Sequence, residues 1–377
     1  MASVRARARL VAAVLTAAAA RGTSSPRRVF VGGAAAGAAL GGTALAVGKR
    51  AIDGPPPFNP PRGSLAGATI LVTGASAGLG KETAVRLAAA GATVVLGARS
   101  RARGDAALAE VRARSGAADA SVLELDLADL RSVRAAAAAF ARRFGRLDVL
   151  VNNAGVMAIP TLQLTADGFE KQLGINHLGH FALTALLLPE LLASAAPGGA
   201  RVVTVASAAH LLAPASAVRA PLAVPATGEY DPWRAYARSK LANVLFAAEL
   251  ERRSVSASAP LTSLALHPGV VRTDLGRYLL GAAADGTGEA MPATPGAARA
   301  LGLRALELLT RSVERGASTQ VWLAAGAQGA RGGGYYEDMH EGVRSVAAES
   351  AELAAELWAE SERLTGVSFA SLGPRTL

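Results

Sequence analysis

The chain has 377 residues, with 39 Lys plus Arg against 29 Asp plus Glu, 51% apolar residues and no cysteine. Eight of the basic residues and no acid fall in residues 1–50. Taking those eight from the 39 leaves 31 against 29 acids, which excludes a basic globular surface for nucleic acid. The lack of cysteine excludes disulfides, thiolate metal sites and a thiol nucleophile, and the apolar content excludes disorder for the bulk of the chain.

Residues 1–28 are rich in Ala, Arg and Ser/Thr and lack acids, the composition of a transit peptide for a plastid or mitochondrion. Val29 to Gly48 is a run of 20 uncharged residues between Arg27-Arg28 and Lys49-Arg50, long enough to span or associate with a membrane. Six Gly and seven Ala keep it weakly hydrophobic, while Gly33, Gly37 and Gly41 would share a helix face suited to close packing. The same letters fit a twin-arginine signal with an A-x-A site at Ala44-Leu45-Ala46, so a retained anchor and a cleaved signal both stay open. Five prolines between Gly54 and Gly63 predict a stiff spacer. The expected organisation is a targeting leader over 1–50, a Pro-rich linker over 51–63 and one catalytic domain over 64–377.

Within that domain, β-branched runs alternate with Ala/Leu/Arg-rich helical stretches. Strands are expected at Thr69–Thr73, Thr93–Leu96, Val122–Leu125, Asp148–Val151, Arg201–Val205 and Leu261–Leu266. Helices are expected over Leu79–Ala90, Asp129–Arg143, His177–Ala195 and Tyr236–Arg253. Strands apolar throughout, separated by helices, imply an α/β fold: a doubly wound parallel sheet of Rossmann type that binds ligands beyond its carboxyl-terminal strand ends.

The first strand runs into Thr73-Gly74-Ala75-Ser76-Ala77-Gly78-Leu79-Gly80 and then a helix. Gly74 suits a tight turn, Gly78 a close approach to a pyrophosphate and Gly80 close helix–strand packing, with helix-start amides from Ser76 to Leu79 as the anion site. At the second strand end an NAD site usually carries a carboxylate. Here Arg99 and Ser100 offer donors instead, which favours a 2′-phosphate and therefore NADP(H).

Asp126-Leu127 follow the third strand and Asn152-Asn153-Ala154-Gly155 the fourth; Tyr236 and Lys240 share a helix face at i, i+4. In that context the sequence resembles the short-chain dehydrogenase/reductase family, with its T-G-x-x-x-G-x-G, N-N-A-G and Y-x-x-x-K motifs in order over about residues 66–275. VNNAGV (151–156), DGFE (167–170), NHLGHF (176–181), HPGVVRTDL (267–275) and LWAESERL (357–364) bring it nearer the retinol dehydrogenase-like branch. Protochlorophyllide reductases share NHLGHF, but that branch is expected to use an active-site cysteine, which this chain lacks.

The resemblance implies a catalytic set of Asn176, Ser207, Tyr236 and Lys240. Tyr236 would be the general acid/base, and Lys240 a nearby charge favouring phenolate that also binds the nicotinamide ribose. Ser207 would orient the carbonyl, and Asn176 would hold a water linking Lys240 to solvent. Asn153, Ala154 and Gly155 belong to the cofactor motif, and Pro268, Gly269 and Thr273 match the segment that closes over the cofactor. His177, His180 and His267 are dispersed and lack supporting carboxylates, so local packing or hydrogen bonding is expected of them and no metal site. The stretch from Gly276 to Pro295 reads as part of a short lid.

The expected function is an NADP(H)-dependent oxidoreductase acting on a carbonyl or alcohol of an apolar small molecule, retinoid-like or a lipid aldehyde. No nucleic-acid partner is expected, and the resemblance implies a homodimer. An NADPH-binding regulatory or scaffold subunit at an organelle membrane is the alternative. It needs only the glycine turn and the second strand end, and leaves the other four residues without a purpose.

Overall fold

The computed structural model describes residues 49–50, 52–117, 119–271 and 310–372. The leader over 1–48, Thr273 and the variable stretch at 276–295 lie outside the described residues. Eight strands are described: β1 (Thr69–Thr73), β2 (Thr93–Ala98), β3 (Ala120–Glu124), β4 (Val149–Asn152), β5 (Ala200–Val205), β6 (Leu261–His267), β7 (Tyr335–Glu337) and β8 (His340–Glu341). They form one sheet of order β3-β2-β1-β4-β5-β6-β7-β8, parallel except for the last pair.

Side-chain alternation explains the two cores. Leu71, Val95, Leu150 and Val202 point to one face of the sheet, while Ile70, Val72, Val94, Leu96, Val149, Val151 and Val203 point to the other. Helices α1 (Gly78–Ala89) and α2 (Arg101–Ser115) cover the second face. The first is covered by α3 (Leu130–Phe144), the consecutive helices α4 (Lys171–Leu173), α5 (Gly179–Leu186) and α6 (Leu188–Leu192), and α7 (Pro232–Ser256). Further along, α8 (Val313–Gly316) and α9 (Ser318–Ala324) join α1, and α10 (Ala351–Thr365) joins α7. With both faces covered, the strands read as continuous apolar runs, and the doubly wound expectation holds.

Two long helices went unforeseen, α2 and α10, along with the short α4, α8 and α9. The first is so rich in arginine that only Gly104, Ala107 and Val111 turn inward, which leaves a faint apolar stripe. The expected helix over His177–Ala195 is divided. A π-helical turn at Gly174–Leu178 precedes α5, and the chain leaves helical geometry at Leu187 (φ −96°, ψ 8°) just ahead of Pro189.

Residues 52–58 are fastened to the domain: Arg311 Nε donates to Ile52 O (3.0 Å), Arg315 Nη1 to Gly54 O and Pro55 O (3.0 Å each), and Arg86 Nη1 to Phe58 O (3.2 Å). Proline-rich backbone offers carbonyls but few amides, so arginines satisfy it where a strand partner could not.

Candidate active site

β1 has β2 on one side and β4 on the other, so the crevice of the doubly wound sheet opens beyond the carboxyl end of β1. The turn there is built by glycine. Gly74 (φ +64°) and Gly78 (φ +53°) adopt the left-handed region, and a Cβ on Gly80 would stand 2.5 Å from both Gly74 O and Asn153 Nδ2. The Ala77 N-cap lends no side-chain hydrogen bond, so the first-turn amides of the 12-residue α1 stay open to an anion, and Ser76 and Leu79 flank them half-buried. This cradle fits the pyrophosphate of a dinucleotide.

Gly80→Ala is expected to cost about 1–3 kcal/mol by overpacking and to weaken dinucleotide binding. A melting scan with a binding titration checks it, and an unchanged Tm would contradict the contact.

Asn153 locks the fourth-strand motif onto the glycine turn: its Nδ2 donates to Thr73 O (2.7 Å), and the amides of Asn153 and Ala154 donate to Thr73 Oγ1 (2.9 Å each). Along the rest of the crevice, Arg99 is exposed just past β2, and Ser100 caps α2 by accepting from Arg103 N (3.3 Å). Asp126 Oδ1 accepts from Ala128 N (2.9 Å) beside buried Leu127, shaping the turn after β3. Gly155 faces the next group: a Cβ there would lie 3.2 Å from Asn176 Oδ1 and 3.7 Å from Lys240 Nζ.

Asn176, Ser207, Tyr236 and Lys240 converge from three segments, the last two sharing one helix. Asn176, fully buried in the π-helical turn, accepts from Val156 N (2.8 Å) at Oδ1 and donates from Nδ2 to Val156 O and Ser239 Oγ (2.9 Å each). Both of its N–H donors are used, so its side chain serves as a brace between the loop after β4 and α7. Ser207 follows β5; its Oγ accepts from Ala209 N (3.1 Å), and its side chain acts on the Tyr236 phenol in the lowering direction. Tyr236 and Lys240 lie on α7, whose start is fixed by Asp231 accepting from Trp233 N (2.9 Å) and Arg234 N (2.7 Å).

Electrostatics here differ from expectation. Burial pushes the Tyr236 phenol up to about 12, against a smaller lowering by Ser207, and pushes Lys240 down to about 7. Lys240 Nζ donates to Val205 O (2.9 Å) and sits 5.6 Å from the Tyr236 ring centroid. In the protein alone, desolvation therefore outweighs any help the ammonium gives to a phenolate.

The third wall is Pro268–Gly269, after β6. Gly269 (φ +82°) lies directly beneath Arg311, whose guanidinium pairs with Asp338 (2.5 Å) and also faces Pro268 O (3.4 Å). Nothing in the sequence pointed to Arg311 or Asp338, which meet from opposite sides of an unrelated stretch. Ser239, one turn from Tyr236, was visible in principle from helix periodicity. His177, His180 and His267 are all buried: His177 Nε2 meets Ser361 Oγ (2.9 Å), and burial holds His177 and His267 down to about 3.

A family description, short chain dehydrogenase, matches residues 68–218. Polyprenol dehydrogenase of Mus musculus is 42% identical over 313 residues, covering 82% of this chain and 87% of that protein. Retinol dehydrogenase 13 of Homo sapiens is 38% identical over 319 residues, covering 84% and 90%. Among solved structures, a putative uncharacterized protein from Mycobacterium paratuberculosis aligns with TM-score 0.61 and 37% identity over 84% of this chain and 99% of its own. The Pseudomonas aeruginosa RhlG/NADP active-site complex aligns with TM-score 0.55 and 25% identity over 73% and 96%.

Proposed function

The chain belongs to the short-chain dehydrogenase/reductase family, in its retinol dehydrogenase-like branch, and from that premise we propose an NADP(H)-dependent interconversion of a carbonyl and an alcohol on an apolar substrate. The observation that carries the reading is the meeting of Tyr236, Ser207 and Lys240 beside Gly155, at the open end of the glycine turn. When bound, the nicotinamide supplies or accepts the hydride.

The chain's own residues handle the oxygen. Ser207 donates to the carbonyl and holds it within reach of the Tyr236 hydroxyl. With its phenol pushed up to about 12, Tyr236 carries its proton at neutral pH and gives it to the oxygen in the reductive direction. Lys240, pushed down to about 7, is then close to half-charged, and regains its full charge when an anionic phenolate forms beside it. Asn176 keeps the loop after β4 in register with α7 through its bonds to Val156 and Ser239.

Substrate class is inferred from the walls. Tyr236 belongs to an apolar cluster that includes Leu173, Leu178, Ala206, Ala209 and Leu222, surroundings that favour a retinoid-like, polyprenoid or lipid aldehyde chain over a sugar or acid. The names of the two mammalian relatives point the same way. A panel of carbonyls and alcohols assayed with NADPH and NADP+ on the full chain tests the reading, and no turnover across apolar aldehydes would sink it.

The cofactor choice rests on Arg99. It is exposed at the end of β2, has no ion-pair partner among the described residues, and no carboxylate stands between Gly97 and Ser100. Arg99→Ala is expected to weaken NADPH by about tenfold or more, the loss of a charge-assisted bond, while leaving NADH affinity as it was. Equal effects on the two cofactors would remove the assignment.

We place residues 29–48 at a membrane on their composition alone. Among the described residues no helix is long and apolar enough to cross one.

A further inference from the structure

His180 lies on α5, one turn beyond Asn176, and is 1% exposed. Its two ring nitrogens face different parts of the site. Nδ1 is 3.0 Å from the backbone oxygen of Asn176, and Nε2 is 2.9 Å from Thr73 Oγ1, at the start of the glycine turn.

The tautomer follows from the partners. A carbonyl can only accept, so the proton sits on Nδ1 and is donated to Asn176 O. Nε2 is then bare and accepts the Thr73 hydroxyl proton. That hydroxyl keeps its oxygen lone pairs for the amides of Asn153 and Ala154, at 2.9 Å each. Both ring nitrogens are therefore engaged, in a region where an unmade hydrogen bond is costly. Burial holds the imidazole down to about 4, so it remains neutral in ordinary buffers and serves as a fixed spacer.

The line continues on both sides. From Asn176 it runs through Nδ2 to Ser239 Oγ (2.9 Å), and Ser239 in turn donates to Tyr236 O (2.8 Å), one residue short of Lys240 in sequence. From Thr73 it reaches Asn153, whose backbone amide donates to Thr73 Oγ1 and whose side-chain Nδ2 packs against Gly80. A single ring thus joins the wall that would cradle the pyrophosphate to the wall that would manage the proton.

We propose that His180 is a positioning residue with two separable duties: its Nε2 arm fixes the glycine turn for the dinucleotide, and its Nδ1 arm fixes Asn176 and, through it, the Tyr236–Lys240 face. The proposal rests on the cofactor and proton roles given above.

Asparagine and glutamine separate the arms, because the Asn amide reaches only as far as Nδ1 and the Gln amide reaches to Nε2. His180→Asn keeps the donor to Asn176 O and drops the Thr73 bond. Its Kd for NADPH, followed by fluorescence titration, is expected to rise about tenfold, the loss of one buried hydrogen bond, with kcat for all-trans-retinal reduction changed less. His180→Gln keeps the Thr73 bond and strands the Asn176 carbonyl. Its kcat is expected to fall about tenfold through lost orientation, with Kd for NADPH close to that of wild type.

Equal losses of both quantities in the two variants overturn the proposal, and so does a lowered Tm with Kd and kcat untouched. Should His180→Asn not accumulate as folded protein, Thr73→Val removes that arm together with the acceptor for the Asn153 and Ala154 amides, so NADPH binding is expected to weaken at least as much; wild-type affinity there also overturns the proposal. Wild type that binds no NADPH defeats the functional reading instead. If wild type binds NADPH but leaves retinal unreduced, only the substrate class falls, and the contrast in Kd between the Asn and Gln variants still decides.

Discussion

Tyr236→Phe is expected to lower kcat/KM by about a thousandfold, the mid-range of what a positioned proton donor supplies, or about 4 kcal/mol of transition-state stabilisation. Cofactor affinity and Tm should hardly move. The ring is buried and stays in place, with the residue 4% exposed, and the substitution removes only the hydroxyl on which Ser207 acts. Folding should lose about 1 kcal/mol, the net worth of one hydrogen bond. Steady-state rates with NADPH and an apolar aldehyde, together with a melting scan, check both halves. A Phe variant retaining full turnover would falsify the acid/base assignment. A variant that lost turnover only because it unfolded would leave Tyr236 as packing.

Lys240→Met should abolish most turnover and at the same time stabilise the cofactor-free protein. The sign follows from the proton balance. The amine titrates near about 7 in the folded chain, against an ordinary value of 10.5. Between those limits the unfolded chain binds the extra proton, so wild-type stability falls as pH drops from about 10 to about 7 and levels off below. The size is on the order of 5 kcal/mol if the whole shift is expressed. Met fills the same buried space without a titrating group, so that slope should vanish. Val205 O loses the lysine donor but keeps the one from Asn243 Nδ2 at 3.1 Å, so no carbonyl is stranded. Urea titrations at pH 7 and pH 9.5 on the two proteins provide the comparison. A variant less stable than wild type at pH 7, with the slope still present, would mean the amine is solvated in the folded chain.

Much of this site was legible because its parts are local. A glycine turn, a strand-end Arg99 and an i, i+4 pair on one helix each announce themselves within a few residues, and the sheet then brings them to one end. What escaped is non-local or electrostatic. Arg311 and Asp338 pair across the chain to clamp Gly269, and neither residue lies in a motif. The brace role of Asn176 depends on a π-helical turn over Gly174–Leu178, most of it ahead of the helix expected from His177. The direction of the Tyr236 and Lys240 shifts depends on depth of burial, which no spacing reports; counted as charges alone, the pair points to an easily ionised phenol, and desolvation reverses it. Arginine composition hid α2 for a related reason: its apolar stripe is three residues wide.

The fastening of residues 52–58 has a geometric outcome for substrate delivery. Arg311 donates to Ile52 O with one nitrogen and reaches Pro268 O with another, so the start of the proline-rich stretch and the segment after β6 are separated by a single guanidinium. With the 20 uncharged residues 29–48 seated among acyl chains, the crevice would hang at the bilayer surface rather than away from it. A long apolar aldehyde could then slide from the lipid to the hydroxyls of Ser207 and Tyr236 without crossing bulk water, while the polar dinucleotide entered from the aqueous side. The arginines that hold the proline-rich stretch would, in that arrangement, aim the enzyme as well as tether it.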